Sequence, residues 1–471
     1  MAGVPLFKVN PWVDAAFYAV LGFLFGVLAE RTTYCIVVAT HQVMGVKYSK
    51  VYEMILVGVA VSSLLTGLLV ASGLVPAVDA YFKVPGAGWY TLLGSFIFGF
   101  GIMLGQGCMV GMLWKAGQGY LVNWLEIAGM IAGTVIFAFP VFDGLNLNWW
   151  WHHDTSLSIM NGAPQNYVPN LLDSFLSLRA AAALTGVIFF AGIMAAALWL
   201  RHNRLAWTGG ERGKIWSSPY LLGTVFGLFM VASFVFLAGR DFNYLGVTTP
   251  VGLLGEYLTA PFGGVLGSAS MPNNWFQTVG IASVFTFFIL MILSGAMVSA
   301  IWRGTFSIRL PARNTNAAAE MAIAFLGGVI LAIGARMAQG CSVGGFWSGL
   351  AALSLFGLVF TVGFIPGTIA GYYAYVAMSS AAARRVKTIR QLSSIELKVG
   401  NVDVSGLVVA VLWSMVLGAV GIELRAFNSA LRVHMSPAAV SQWSAVMEVA
   451  AVVVLLLAVV GWLRRGSAAS R

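Results

Sequence analysis

Apolar positions in this chain neither alternate nor keep to one face of a helix. They run for about 20 residues at a time, the length of helix that spans a hydrocarbon core. Eleven such runs predict full spans at 13–29, 51–75, 89–106, 121–139, 180–200, 218–238, 276–302, 318–338, 354–376, 404–423 and 444–463. Four shorter apolar pieces follow spans, at 35–46, 107–117, 245–258 and 341–351. As helix, each reaches about half a bilayer. They open with Gly, Cys or Thr rather than with charge, which predicts re-entrant half-helices. Backbone at membrane depth is tolerated where it lines a cavity inside the protein.

Composition agrees with this pattern. The chain has 471 residues, 59% hydrophobic and 9% charged, with a mean hydropathy of +0.87. Soluble domains carry about 25% charged residues, so the expected class is an all-α polytopic membrane protein in a lipid bilayer. The net charge of +10 does not indicate nucleic acid once its location is considered. With the N-terminus outside, the loops 30–50, 107–120, 201–217, 303–317 and 377–403 and the C-terminal tail hold 19 of the 26 Lys and Arg, against 7 on the other side. Cationic loops stay in the cytoplasm, which predicts an inner-membrane protein with its C-terminus inside. Residues 1–12 show no cleavage pattern, so the first span is expected to be retained. In the outside loop 140–178, the run Trp149, Trp150, Trp151, His152 and His153 reads as an interfacial aromatic belt rather than a metal site.

The chain repeats itself. Leu21-Gly22-Phe23-Leu24-Phe25-Gly26 matches Leu222-Gly223-Thr224-Val225-Phe226-Gly227. Gln106-Gly107-Cys108-Met109-Val110-Gly111 matches Gln339-Gly340-Cys341-Ser342-Val343-Gly344, and Trp114 and Trp347 follow at the same offset. Spans one to four then correspond to spans six to nine. An offset of five spans inverts the second copy, and inverted repeats with broken helices place a transporter's substrate site at their interface. The expected organisation is a first half at 1–140, a loop and connector span at 141–217, a second inverted half at 218–377, and a basic linker with two accessory spans at 378–471.

The three cysteines, Cys35, Cys108 and Cys341, all fall at half-helix tips. They form no CxxC, have no nearby His in metal-ligand spacing, and provide no disulfide framework. No metal, cofactor or catalytic residue is therefore assigned, and the chain reads as a transporter rather than an enzyme. A half-helix N-terminus offers unpaired N–H groups to an anion, and a neutral thiol is a weak, polarisable donor suited to soft sulfur. Gly107 and Gly340 would allow the sharp turn, and Gln106 and Gln339 would donate amide hydrogens. Tyr34 precedes the first cysteine, and Gly246 and Thr248 lie at the fourth tip, which lacks one. Arg31, Arg240 and Arg336 stand at span ends, where each either attracts the anion or anchors its helix. Glu30 is expected to pair with Arg31. Trp114 and Trp347 read as packing, and Glu126, Glu256 and Glu320 as candidate proton carriers.

At these motifs the chain resembles the YeeE/YedE family of sulfur transporters, over roughly residues 13–376. The resemblance implies thiosulfate uptake through a pore with three cysteines, which land on Cys35, Cys108 and Cys341. It also implies a body of nine spans with short re-entrant helices and a small cytosolic sulfur-carrier protein as partner. The loop 140–178, the basic linker and the last two spans depart from the compact family pattern. The alternatives are a selenium or other sulfur species as substrate, a membrane thiol oxidoreductase, or a structural subunit. The last leaves the repeated motif unexplained.

Overall fold

A computed structural model describes residues 11–75, 86–138, 167–172, 175–203, 218–237, 246–248, 251, 284–310, 317–383, 394–395, 398–399, 402–426 and 437–469. With residues 276–283 of the seventh lying outside the described residues, each expected span overlaps a helix. These are α1 (Pro11–Thr32), α3 (Lys50–Ser72), α4 (Trp89–Gly105), α6 (Leu121–Ala138), α7 (Leu178–Asn203), α8 (Pro219–Leu237), α9 (Val284–Arg303), α10 (Ala317–Met337), α11 (Leu355–Ala383), α12 (Ser405–Ala426) and α13 (Pro437–Ala469). The short helices between them are α2 (Ile36–His41), which runs on as a π-helical turn over Gln42–Val46, and α5 (Met109–Gly117). A second π-helical piece, Ser342–Ser348, continues as Gly349–Ala351. Among the described residues, nine stretches are long and apolar enough to cross a membrane, two of them carrying a half-helix along with the span. Leu121–Phe137 and Ser405–Gly421 are shorter apolar helices. The chain is an all-α polytopic membrane protein.

Three of the four expected half-helices are present. Of the fourth, 245–258, only residues 246–248 and 251 are described. The cluster Trp149–His153, Arg240 and Glu256 lie outside the described residues.

Helix packing relies on glycine, since small residues let backbones approach where no hydrophobic force drives spans together. A Cβ at Gly22 or Gly26 of α1 would collide with the carbonyls of Phe288 and Ile292 on α9. At the matching positions of α8, Gly223 and Gly227 lie against the carbonyls of Met54 and Gly58 on α3. In the same way Gly129 and Gly133 of α6 pack on α10, and Gly363 and Gly367 of α11 pack on α4. Helices α4 and α10 pack on each other, and α12 with α13 covers α9 and α1. There the Trp413 indole donates to Ser294 Oγ at 2.8 Å and the Trp302 indole to the Leu457 carbonyl at 2.8 Å.

Among the described residues, connecting segments meet in two places. At one, Ile308–Arg309 pairs with Ser394–Ile395 and the Arg309 N–H donates to the Gly119 carbonyl. At the other, the Val168 N–H donates to the Leu353 carbonyl at 3.0 Å. The charge count assigned each of these groups to a single side.

Candidate functional site

The two Gln-Gly-Cys motifs build the same structure twice. Cys108 is the residue before α5, in extended backbone, and its Sγ accepts the Gly111 N–H at 3.3 Å. Cys341 is the residue before the π-helical piece, also extended, and its Sγ accepts the Gly344 N–H at 3.3 Å. A serine or aspartate at this position would cap the helix in the same way. Here sulfur does so, which keeps both thiols at the tip. From Cys108, α5 runs nine residues, about 13 Å, toward the end where Gly119 meets Arg309. The piece after Cys341 runs toward the other end, where Leu353 meets Val168.

The sharp turn is made differently from the sequence expectation. The left-handed residues are Gln106 and Gln339, with φ of 68° and 56°; Gly107 and Gly340 are absent from that region. The glycines serve space instead. A Cβ on Gly107 would overlap Met112, Asn123 and Glu126, and one on Gly340 would press on Gly345 and Phe356. The Gln106 amide does not project from the tip, because its Nε2 donates to the Met103 carbonyl at 2.5 Å.

The cysteines are not all separate, as the sequence suggested. Cys108 donates its S–H to Cys35 Sγ at 3.6 Å, although 73 residues intervene. Cys35 is wholly buried and sits in extended backbone ahead of α2. Gly111 makes this contact possible, because a Cβ there would overlap Cys35 Sγ and crowd Cys108 Sγ at 3.2 Å. All three thiols are free and buried.

A small apolar cavity lies where the two half-helices meet. It has about 10 Å3 and is lined by Val110 and Val343 from the half-helices, with Phe25, Phe226, Met230 and Trp347 among its walls. The Tyr34 ring joins this cluster at 4.3 Å from Phe226 and 5.6 Å from Trp347, centroid to centroid. Both tryptophans are buried. The Trp114 indole donates to the Tyr34 carbonyl at 2.9 Å, and the Trp347 indole to Ser62 Oγ at 3.0 Å.

Three polar residues that the sequence reading did not assign stand at the tips. Ser342, next to Cys341, is 4% exposed, and its hydroxyl has no hydrogen-bond partner among the described residues. Lys115 Nζ donates to the Gln106 carbonyl at 2.5 Å. Asn123 Nδ2 donates to Glu126 Oε2 at 2.8 Å, and Glu126 Oε1 accepts the Gly107 N–H at 3.1 Å. Lys115 was legible as a break in the repeat, since Ser348 occupies its place in the second copy.

Glu30 does not pair with Arg31. Its carboxylate meets Arg303 at 3.0 Å and also accepts from Gln118 at 2.6 Å and Ser299 at 2.8 Å. Arg31 instead donates to Ser299 Oγ at 3.2 Å. This network ties the ends of α1, α5 and α9 together. Arg336, in the last turn of α10, is buried, and Thr248 is buried too. Gly246 is half-buried. Among the described residues no cluster of His, Cys, Asp or Glu could hold a metal.

Residues 31–370, which include all three cysteines and both half-helix tips, match the family described as sulphur transport. The chain belongs to that family. It is 27% identical over 355 residues to the thiosulfate transporter TsuA of Spirochaeta thermophila, covering 74% of this chain and 94% of the relative. It is 25% identical over 337 residues to the thiosulfate transporter TsuA of Escherichia coli, covering 69% and 84%. Over 118 residues it is 30% identical to the probable transporter YedE of Escherichia coli, covering 25% and 28%. This family member is thus a membrane transport protein for a small sulfur-containing anion, not an enzyme.

Proposed function

We propose that the chain carries thiosulfate into the cell across the inner membrane, past three neutral thiols that act as weak stations. The observation that carries this reading is the thiol contact at the crossing of the half-helices. Cys108 donates to Cys35 at 3.6 Å, and Cys341 caps the opposing half-helix in matching geometry. Soft donors in series suit an anion that must both bind and leave. The Ser342 hydroxyl offers a harder donor beside Cys341, suited to an oxygen of the same anion.

The architecture we infer is an inverted repeat, 1–140 against 218–377, with 378–471 as an accessory segment. The packing supports it, because α1 on α9 and α8 on α3 exchange under such a symmetry, as do α6 on α10 and α11 on α4. The N-terminus is outside and the C-terminus inside, supported by the charge count and by the grouping of loops at two ends. The same reading includes a cytosolic sulfur-carrier protein that receives the anion.

Uptake of radiolabelled thiosulfate by cells lacking other routes tests the proposal, with selenite, selenate and sulfate as competitors. Accumulation that thiosulfate alone suppresses supports it. Suppression by a selenium species at lower concentration moves the substrate to selenium. One observation favours a second reading: a pair of thiols in contact can close to a disulfide, as a thiol oxidoreductase requires. Turnover of that disulfide with a quinone, in the absence of uptake, would establish it.

A further inference from the structure

The two Gln-Gly turns are matched in backbone but not in what holds them. In the first, the peptide linking Gln106 to Gly107 is gripped at both ends. Its carbonyl accepts from the Lys115 ammonium at 2.5 Å, and its N–H donates to the Glu126 carboxylate at 3.1 Å. In the second, the Gly340 N–H donates to the main-chain carbonyl of Ala335 at 3.0 Å. The register that places Cys108 on Cys341 places Lys115 on Ser348, Asn123 on Phe356 and Glu126 on Val359. One turn is therefore fixed by the main chain, and the other is held by two side chains of opposite charge.

Glu126 is wholly buried. The groups that face it are few. Lys115 comes from α5, Asn123 from its own helix, and Cys35 from the tip ahead of α2, with Lys115 and Cys35 both within electrostatic reach. From α4 it meets the main chain at Gly105. From α10, Gly328 packs on its backbone, and the charged residues of that helix, Glu320 and Arg336, stand in the first and last turns.

Resting on the thiosulfate reading, we propose that Glu126 is the proton-binding site of an anion–proton symport, with Lys115 as the cation that takes over the anion. An anion at the Cys108 tip is repelled by a carboxylate directly behind it. One proton on Glu126 converts COO⁻ to COOH and removes that repulsion, leaving the positive Lys115, held on the Gln106 carbonyl, as the charge the anion meets. The proton leaves as the anion departs, and the carboxylate charge is restored. No bond other than O–H forms or breaks. Anion and proton thus stabilise each other's binding, and linkage makes the effect reciprocal.

The test uses the full chain reconstituted in lipid vesicles. Counterflow of labelled thiosulfate, with no proton gradient, tests the transport reading alone; its absence from the native protein overturns that reading and this one together. With counterflow established, an inward proton gradient at clamped membrane potential should drive accumulation. The apparent affinity should rise as pH falls, by up to about tenfold per pH unit for one linked proton. Glu126→Gln, which keeps an acceptor for Gly107, should retain measurable counterflow but lose both the accumulation and the pH response. Glu126→Asp should keep a pH response, shifted in midpoint, and guards against misfolding as the cause of loss. A native protein indifferent to the gradient, or Glu126→Gln that responds as the native protein does, overturns the proposal.

Discussion

Cys35 and Cys108 share one hydrogen bond, 3.6 Å between sulfurs, and it exists because residue 111 is glycine. Two thiols from distant parts of the chain are thereby brought into contact. Gly111→Ala should push the sulfurs apart without unfolding eleven helices. Labelled uptake should fall sharply at normal membrane expression, whereas Gly192→Ala, where an added Cβ meets nothing within 4 Å, should leave it unchanged.

Each thiol is replaceable in turn. Losing a neutral donor whose partner is left unsatisfied costs about 1–3 kcal/mol, roughly 5- to 150-fold. Cys35→Ala, Cys108→Ala and Cys341→Ala should reduce uptake within that range, and Cys→Ser should also impair it, because a hydroxyl is shorter and harder than a thiol. Wild-type rates in both Cys108→Ala and Cys341→Ala would reduce the thiols to packing residues.

A contact at 3.6 Å lies within a small side-chain rotation of a covalent bond, which needs about 2.05 Å. A mild thiol oxidant applied to membranes should therefore block uptake reversibly. Mass spectrometry should find a peptide pair joining Cys35 to Cys108 and leave Cys341 reduced.

The Glu30–Arg303 pair joins a fully buried carboxylate to a half-exposed guanidinium. Breaking a buried pair costs about 3–5 kcal/mol, and solvent around Arg303 lowers this to about 2 kcal/mol. Arg303→Ala should lower the thermal unfolding temperature in detergent, and Arg31→Ala should lower it less, since Arg31 reaches Glu30 only through Ser299.

On the thiosulfate reading, the Ser342 hydroxyl receives an oxygen of the anion. Ser342→Ala should weaken thiosulfate uptake several-fold with no loss of thermal stability, because its hydroxyl has no partner among the described residues to lose. An unchanged KM would remove it from the path.

The helices were legible because a span needs only length and apolarity, both of which are local properties of the sequence. The half-helix tips were legible because the motif occurs twice. What escaped depends on distant partners or on space. Glu30 has a neighbouring arginine in sequence, yet its charge partner is 273 residues away. Gln106 and Gln339 adopt the left-handed turn that their glycine neighbours would accept more easily, and those glycines are spent on room for Glu126 and Phe356. The Cys35–Cys108 contact depends on a missing methyl group at Gly111, which a motif displays but does not explain. Lys115 was visible in sequence only as a departure from symmetry, whereas Glu126 stood out as an acidic residue within a span.

The cavity between Val110 and Val343 has about 10 Å3, near the least that holds one water molecule. On the reading proposed above, a waist packed this closely leaks few ions. A cell that stores energy as an ion gradient can then keep many copies without draining it. The same seal sets the tempo of work. On that reading each anion waits for Phe25, Phe226 and Trp347 to give way, so throughput would follow the repacking of rings rather than the concentration of substrate once the entrance is filled.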